Sequence, residues 1–430
     1  MISVSQRGFR LESLLQYELE KLKVCNRSTC VYRDYSGGVE LQLEKEQFWR
    51  MMCCSRIIES VRMRISTFIV SNPREIENGI SEIPWEKYIT KNDNTIIRNN
   101  MFFPRDINSI ILERSPLPQL AKSVSTTRQP NSKNLFFLVS TFRFHSFRRF
   151  EATKSQLASI AASNPRVAIA NTSLKRLSKR RSLRLVQVPR LFCLVCYDSV
   201  RKGLLRRNNM LMFDFFCGSG VLAAEMHSLL QRDYPYLQRK RLLKEFRHGF
   251  EFWPCHDRSG FERLVENVET EKSAKGPLMR DYAILSSDIA DRAIFCSDQN
   301  IRNVLRRDAN QKVEEVVIPK NLTFTQGDFE HRAELLVEAI KMNKEAYHDN
   351  IVILANPPIY MKQYKSFREL DQLYHSLFEL VYSLKKTDLL RSASILIPHS
   401  TQFQLPEPLQ EIAALRPLKL GDHTLCLLSV

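Results

Sequence analysis

From about residue 186 onward the chain alternates short apolar segments with longer amphipathic ones, and this alternation constrains the fold most. A short apolar segment is typical of a buried strand, and a longer amphipathic one of a helix. The predicted strand and helix pairs are 209–216 with 222–230, 282–286 with 292–304, 322–325 with 331–342, and 350–354 with 367–384. Further strands are predicted at 393–398 and at the end of the chain. The pattern predicts an α/β fold with a doubly wound, mostly parallel sheet.

The residues before this half follow a different pattern. An amphipathic helix over 11–22 precedes a strand pair at 31–35 and 39–43, which the turn at Gly37 and Gly38 connects, and another helix follows. A second α+β module follows, with an exposed loop at 115–133 that is rich in Pro, Ser, Thr and Gln. We therefore predict three domains, over 1–60, 61–175 and 186–430.

The chain is strongly basic. It contains 64 Lys and Arg residues against 47 acids, a formal net charge of +17, and much of the excess lies in three runs at 175–184, 201–207 and 239–247. Any one run could be a solvated helix face, but three together favour contact with RNA or DNA. The candidate nucleic-acid contacts in the first run are Lys175, Arg176, Lys179, Arg180, Arg181 and Arg184.

The cysteines and the hydropathy pattern exclude several other classes of protein. Apart from Cys193 and Cys196, the ten cysteines show no paired metal-ligand spacing, so no metal site is predicted. Cys193 and Cys196 form a lone CxxC inside the apolar run LFCLVCY, where buried cysteines are more common than ligands. Cysteines without a disulfide pattern fit a protein of a reducing compartment. The apolar runs are far shorter than the roughly 20 residues of a transmembrane helix.

The ends of the predicted strands carry residues suited to a nucleoside cofactor. Asp214 is followed by Cys217, Gly218, Ser219 and Gly220, directly between a strand and a helix. Glycines allow the backbone to pass close to a ligand, so a side chain at either glycine would occupy the ligand's space. The carboxylate of Asp214 could accept hydrogen bonds from an ammonium group.

Acids also follow the next two strands. Asp288 could accept hydrogen bonds from ribose hydroxyls, and Asp328 could accept a hydrogen bond from the amino group of an adenine. The separation of 68 positions from Gly220 to Asp288 exceeds the spacing of a compact dinucleotide fingerprint, so a dehydrogenase is not expected. Considered alone, an acid at either position is more often the N-cap of the following helix than a contact to a ligand.

The fourth strand ends in the most specific motif, Asn356-Pro357-Pro358. An amine attached to a conjugated ring is a poor nucleophile because its lone pair is delocalised. An Asn side-chain oxygen and the carbonyl after it can accept both N–H bonds and turn the lone pair toward an electrophile, while two prolines fix the loop. Because this motif follows the fourth strand and the glycine motif follows the first, the two together predict methyl transfer to nitrogen.

At these motifs the chain resembles class I S-adenosylmethionine methyltransferases that methylate nitrogen, with signatures D-P-x-C-G-S-G and N-P-P-Y. The N-terminal half resembles one branch, the bacterial 23S rRNA guanine-N2 methyltransferases, which carry a ferredoxin-like segment and a THUMP RNA-binding domain. The matching features outside the two motifs include RGFRLESLLQYEL, GGVEL, CCSRIIESV, IPWEKYI, NDNTIIRN and FWPCHD. The resemblance implies a Rossmann-like class I methyltransferase fold, preceded by ferredoxin-like and THUMP regions over 1–60 and 61–175.

The resemblance also implies roles for individual residues. It makes Asp214, Cys217, Gly218 and Gly220 the methionine-side loop of S-adenosylmethionine, Asp288 the ribose acid and Asp328 the adenine contact. The catalytic residues are then Asn356, Pro357, Pro358 and Tyr360.

The chain departs from the family at three positions. Phe215 replaces the usual proline. Ile359 occupies the place of the aromatic residue that stacks on the flipped base, with Tyr360 one position late. The segment before the catalytic fold, Val188 to Leu191, lacks its usual acid, with Arg190 next to Pro189.

Two functions are consistent with these residues. The first is methylation of guanine N2 in large-subunit rRNA; the second is a ribosome or mitoribosome assembly factor that binds rRNA or a pre-ribosomal particle without turnover. The intact cofactor motifs favour the enzyme, and Ile359 with the missing acid favours the assembly factor; we expect the enzyme. A DNA adenine or protein glutamine methyltransferase shares the NPP chemistry but normally has an aromatic residue after it.

Ribosomal or assembly proteins are further expected partners, and a membrane is not. The first ten residues carry two arginines and no acid, which suits a short mitochondrial signal, so we expect the mitochondrion rather than the cytoplasm.

Overall fold

A computed structural model of the chain describes 13 segments or single positions. They are 2–5, 12–25, 33–35, 38–58, 60–63, 82, 84, 87, 209–243, 245–358, 367–398, 405–420 and 423–430. Most of the predicted THUMP domain, Arg190, Ile359, Tyr360 and all six candidate RNA contacts at 175–184 lie outside the described residues. Within the described part of the chain, no helix is long and apolar enough to span a membrane.

The N-terminal residues form a four-stranded antiparallel sheet with two helices, which we call the N-terminal unit (2–63). Its elements in chain order are β1 (Ile2–Ser5), α1 (Glu12–Lys21), β2 (Arg33–Tyr35), β3 (Gly38–Leu41), α2 (Lys45–Cys54) and β4 (Ser60–Met63). The strand order is β2-β3-β1-β4. This β-α-β-β-α-β arrangement is the ferredoxin-like topology expected for the first segment.

Two details of the N-terminal unit differ from the sequence prediction. The strand β1 pairs with β3 on one side and β4 on the other, and the sequence analysis did not predict it. The strand β4 crosses the predicted boundary at 60/61, so the sheet includes residues assigned to the next domain. The domain boundaries themselves remain a prediction.

The C-terminal half forms a seven-stranded sheet, and we call it the α/β unit (209–430). Its strands are β5 (Asn209–Asp214), β6 (Asp281–Asp288), β7 (Leu322–Gln326), β8 (Ile351–Ala355), β9 (Leu390–Pro398), β10 (Ala414–Leu420) and β11 (His423–Ser429). Its helices are α3 (Val221–Leu230), α4 (Pro235–Leu242), α5 (Arg258–Lys275), α6 (Asp291–Leu305), α7 (Phe329–Met342), α8 (Lys344–Tyr347), α9 (Phe367–Lys386) and α10 (Glu407–Ile412). Short 3-10 helices span Gly249–Phe252 and Val313–Glu315.

The sheet of the α/β unit is doubly wound, as predicted. The strand order is β10-β11-β9-β8-β5-β6-β7; β5 to β9 are parallel, and β10 and β11 are antiparallel additions at one edge. The central strand β8 is buried at every residue, with alternate side chains in two core clusters. Helices α3 and α6 contribute to one cluster, and α7 and α9 to the other. Burial on both faces explains why this strand is continuously apolar.

The strand order reverses direction at β5. The chain proceeds from β5 to β6 and β7 on one side, and then crosses back to β8 on the other side of β5. Ligands of open α/β sheets bind outside the carboxyl ends of the strands at such a switch point. The two loops that meet there follow β5 and β8, and they carry the glycine motif and the NPP motif.

The N-terminal unit packs directly against the α/β unit. In the contact, Trp49 of α2 lies edge-on to Phe261 with ring centroids 5.8 Å apart, and Phe48 lies edge-on to Phe250 at 5.1 Å. The guanidinium of Arg50 binds the carboxylate of Glu271 through two hydrogen bonds of 2.9 and 2.6 Å. Aromatic packing and ion pairs therefore fix the orientation of the two units.

Candidate functional site

Strand β5 ends in a buried carboxyl group, that of Asp214. Its Oδ1 accepts a hydrogen bond from the Phe216 backbone N–H at 3.3 Å, whereas Oδ2 is buried and has no partner among the described residues. Burial raises the pKa of Asp214 to about 8, and the negative charge of Asp288 adds to the shift. The end of β5 thus carries a buried acceptor that could take a hydrogen bond from a ligand.

Phe215, which replaces the usual proline, is accommodated in the core. Its ring stacks on Phe213 with centroids 5.7 Å apart and lies edge-on to Phe329 of α7 at 5.3 Å. The phenylalanine therefore adds packing on the face of the sheet that α7 covers. Asp214 keeps its place as the last residue of β5.

The glycine loop (217–220) turns the chain sharply from β5 into α3. Gly218 and Gly220 have φ angles of +54° and +72°, in the left-handed region that favours glycine. The Gly220 N–H donates to the Cys217 carbonyl at 2.8 Å, and the Cys217 N–H donates to the Ser287 carbonyl of β6 at 2.9 Å. The loop is therefore held to the neighbouring strand through its backbone.

The two glycines face different surroundings, which corrects one expectation from the sequence. A Cβ at Gly218 would meet no atom within 4 Å, so this position faces open space where a ligand can pass. A Cβ at Gly220 would lie 2.9 Å from the Cβ of Ser297. A side chain at Gly220 would therefore clash with α6 first, and contact of this glycine with a cofactor remains a prediction.

Asp288, at the end of β6, joins the loops after β5 and β6. Its Oδ2 accepts from the Gly218 N–H and its Oδ1 from the Ala290 N–H, both at 2.9 Å. The residue is half-buried, and each carboxylate oxygen can accept a further hydrogen bond. Asp288 can therefore orient the glycine loop and still accept from a hydroxyl group.

Two residues of α6, missed by the sequence analysis, also hold the glycine loop. The Ser297 hydroxyl donates to the Gly218 carbonyl at 3.0 Å, and Asn300 donates from Nδ2 to the Ser219 carbonyl at 2.8 Å. They lie one helical turn apart on the loop-facing side of α6. In the sequence these two residues are polar positions at i and i+3 of an amphipathic helix. Such a pair is too common to indicate a functional role.

Cys217 is a packing residue of this loop. Its Sγ lies 3.6 Å from the Ser297 Oγ, and burial raises the pKa of the thiol well above its usual range. A buried thiol of this kind stays protonated and unreactive.

Asp328 lies at the edge of the site. It is exposed, and it is the N-cap of α7, where its Oδ1 accepts from the His331 N–H at 2.8 Å. The helix-cap interpretation of this acid is therefore confirmed. The neighbouring Gly327 donates its N–H to the Asp288 carbonyl at 3.1 Å, which places the loop after β7 beside the loop after β6. Contact of Asp328 with an adenine remains a prediction.

The NPP motif follows β8, beside β5 in the sheet. The Oδ1 of Asn356 is buried and has no partner within the described segments. Pro357 is buried, and the Pro358 carbonyl accepts a hydrogen bond at 3.2 Å from the hydroxyl of Tyr374, a buried residue of α9. Tyr374, which the sequence analysis also missed, therefore anchors the loop to α9.

The site thus has two buried acceptors at the switch point, the Oδ2 of Asp214 and the Oδ1 of Asn356. A buried polar atom without a partner costs free energy, on the order of 1–3 kcal/mol, which a hydrogen bond from a bound ligand would offset. Both atoms fit a ligand that donates N–H bonds. The described residues contain no cluster of three or more His, Cys, Asp or Glu side chains that could hold a metal ion.

Part of the chain is similar in sequence to proteins named "Ribosomal RNA large subunit methyltransferase K/L". Identity is 29% over 166 residues for the protein of Shewanella sp. strain ANA-3, covering 39% of this chain and 19% of that protein. It is 30% over 92 residues for that of strain MR-4, covering 21% and 12%. The chain thus spans about a fifth or less of the length of these curated relatives. It matches no protein-family model.

Similarity to solved structures extends over the whole chain. SMU.472, assigned as a methyltransferase and solved in complex with SAH, has a TM-score of 0.58 and 16% identity, with 100% of this chain and 97% of that one covered. A predicted N6-adenine-specific DNA methylase from Listeria monocytogenes has a TM-score of 0.56 and 15% identity, with 99% and 95% covered. The fold is that of the class I methyltransferases. At these identities the likeness shows the fold alone.

Proposed function

We propose that this protein is an S-adenosylmethionine-dependent methyltransferase that methylates the exocyclic N2 of a guanosine in large-subunit rRNA during ribosome biogenesis. The observation that carries the proposal is the pair of buried acceptors without partners, on Asp214 and Asn356, at the switch point of a class I methyltransferase fold. The names of the partial sequence relatives support an rRNA substrate.

The residues around β5 and β6 fit a cofactor with an ammonium group and a ribose. When bound, S-adenosylmethionine supplies a methyl group on a sulfonium sulfur. Asp214 would accept from the ammonium group through its Oδ2, and the open space at Gly218 would let the backbone approach the methionine part. Asp288 would accept from the ribose hydroxyls, and Asp328 is the proposed adenine contact.

The residues after β8 fit the amine that receives the methyl group. The Oδ1 of Asn356 and the backbone carbonyl that follows would each accept a hydrogen bond from one N–H of the guanine amino group. These two hydrogen bonds would turn the nitrogen lone pair away from the ring. Pro357 and Pro358 limit the freedom of the loop, and the Tyr374 hydroxyl fixes its last carbonyl. The methylated nitrogen would carry a positive charge, which the two acceptors would stabilise until it releases one proton.

The distribution of charge supports RNA binding by the first half of the chain. Residues 1–208 contain 36 Lys and Arg against 17 Asp and Glu, whereas residues 209–430 contain 28 against 30. The whole positive excess therefore precedes β5. A catalytic half without net positive charge relies on another part of the chain for phosphate contacts, and the run at 175–184 is the proposed one.

A second candidate function is an rRNA-binding assembly factor without methyl transfer. The observation in its favour is Ile359, which replaces the aromatic residue that stacks on the flipped base in the family that the chain resembles. Stacking on an aromatic ring contributes about 1–3 kcal/mol per base, and isoleucine lacks the flat face.

The deciding experiment is transfer of labelled methyl groups from S-adenosylmethionine to large-subunit rRNA from a strain that lacks the protein. We expect transfer by the wild type, almost none by Asn356→Ala, and strong loss in Tyr360→Ala if Tyr360 replaces the missing aromatic ring. Transfer that survives Asn356→Ala would refute the active site. Binding of cofactor and rRNA without transfer, together with gain of activity in Ile359→Tyr, would identify the assembly factor.

We also propose a mitochondrial location, on the basis of the two arginines and the absence of acids in the first ten residues. Imaging of a C-terminally tagged full chain tests it, and a cytosolic signal would contradict it.

A further inference from the structure

The helix α3, which the glycine loop precedes directly, is buried on all sides. Nine of its ten residues are buried, and Glu225 is the exception. A helix that is covered all round needs neighbours on both faces. The sheet and α6 lie on one face, and Leu14 and Ile57 of the N-terminal unit belong to the same core cluster as the side chains of α3. The N-terminal unit therefore supplies part of the environment of α3.

An ion pair from the N-terminal unit binds the carboxylate of α3. Arg56 donates from Nη1 to the Glu225 Oε2 at 2.9 Å and from Nη2 to the backbone carbonyl of Asp233. The two side chains are 5% and 16% exposed. A nearly buried guanidinium that donates to a carboxylate and to a backbone carbonyl holds both acceptors in a defined geometry, because loss of the carboxylate would leave a buried charge poorly compensated.

The direction of the Arg56 side chain is set by the N-terminal unit itself. Glu18 of α1 is fully buried, and its Oε1 accepts from the Arg56 N–H at 2.7 Å. Its Oε2 accepts from the Ser55 hydroxyl at 2.6 Å and from the Ile57 N–H at 3.4 Å. One buried carboxylate thus fixes the backbone of 55–57, from which Arg56 reaches α3.

Glu225 is close to the cofactor loop along the helix. It lies five residues after Gly220, which is about 7.5 Å along the axis of an α-helix. Gly220 packs against Ser297 without room for a Cβ, so a shift of α3 along its axis would change the loop directly. The contact from Arg56 therefore acts at the helix that positions the glycine loop.

We propose that Arg56 is a positioning residue for the glycine loop, which couples the docking of the N-terminal unit to cofactor binding. The inference rests on the proposed function for the identity of the ligand. Because coupling is reciprocal, cofactor binding also tightens the docking of the N-terminal unit. The N-terminal unit is then part of the cofactor site as well as of the RNA-binding half.

The test compares Arg56→Met with Lys45→Met in the full chain. Lys45 forms an ion pair with Asp257 across the same interface, at 2.8 Å, but the pair is exposed and involves the start of α5. We expect Arg56→Met to bind S-adenosylhomocysteine about tenfold more weakly in calorimetry, Arg56→Lys to recover part of the affinity because it keeps the positive charge beside Glu225, and Lys45→Met to match the wild type.

Hydrogen exchange of the amides of 217–225 gives a second readout that needs no ligand. Exchange should be faster in Arg56→Met and unchanged in Lys45→Met, with circular dichroism showing that both variants are folded. Equal effects of the two substitutions, or wild-type exchange in folded Arg56→Met, would overturn the proposal. A wild-type chain that binds no S-adenosylhomocysteine would instead refute the proposed function, and exchange would still decide the role of Arg56.

Discussion

Replacement of Asp214 by asparagine should stabilise the ligand-free protein, and the gain should grow with pH. The folded-state pKa is about 8 against an ordinary value of 3.8, so the folded chain holds a proton that the unfolded chain releases. Stability is therefore lost as the pH rises through this window, by about 1.36 kcal/mol per pH unit. Between pH 5 and pH 8 the loss is about 4 kcal/mol, an upper value because relaxation and water entry ease the burial of charge.

Asparagine does not titrate, so the stability difference between Asp214→Asn and the wild type should widen by up to that amount. Urea unfolding at pH 5, 6, 7 and 8 measures it, and for a chain of this length the melting temperatures should diverge by up to about 4 °C. Asp281→Asn, which removes an exposed carboxylate from the neighbouring strand β6, is the matched control. A difference that stays constant or narrows with pH would refute the reasoning.

The same substitution should weaken binding of S-adenosylhomocysteine, because a neutral amide offers no charge to an ammonium group. In the wild type, affinity should rise between pH 6 and pH 8 as Asp214 loses its proton, and in Asp214→Asn this rise should be absent. Calorimetry at the two pH values tests it. A variant that is more stable and binds less well would show that the carboxyl group is kept for the ligand at the expense of stability.

Three further predictions concern the loop and the RNA. Gly218→Ala and Gly220→Ala both place a Cβ at a positive φ, but Gly220→Ala should lower the melting temperature further because its Cβ would also clash with Ser297, whereas Gly218→Ala should mainly weaken S-adenosylhomocysteine binding; the opposite result would contradict the geometry of the loop. Ser297→Ala should weaken calorimetric affinity about threefold to tenfold, since it removes one hydrogen bond from the loop, and unchanged affinity would argue against this role. Changing Lys179, Arg180 and Arg181 to Glu should lower both rRNA affinity and its salt dependence in filter binding; an unchanged slope would exclude this run.

Much of the α/β unit could be predicted from the sequence because its pattern is strong. The continuously apolar segment of β8 comes from burial on both faces of the strand, and the periodic apolar residues of α9 come from burial of one face of the helix, which leaves few alternatives. The four-residue strand β1 was missed because so short a segment carries no periodicity, and its place in the sheet depends on pairing with two distant strands.

The candidate site was predictable only where the motif itself carries the chemistry. The positions of Asp214 and Asn356 at neighbouring strand ends follow from the order of strands. The hydrogen bonds by which Ser297, Asn300 and Tyr374 hold the two loops could not be predicted. Each is a single polar contact between segments that are distant in sequence, and each of these residues lies in a helix with an ordinary amphipathic pattern.

The all-round burial of α3 also has a consequence for the order of folding during synthesis. An apolar helix that leaves the ribosome before β6 and α6 exist has no sheet partner to cover it and is prone to aggregation. The N-terminal unit is synthesised first, and its α1 and 55–57 segment can cover one face of α3 as soon as that helix emerges. The N-terminal unit can then act as an internal chaperone for the helix, and chains without it should accumulate in inclusion bodies even where the α/β unit is complete.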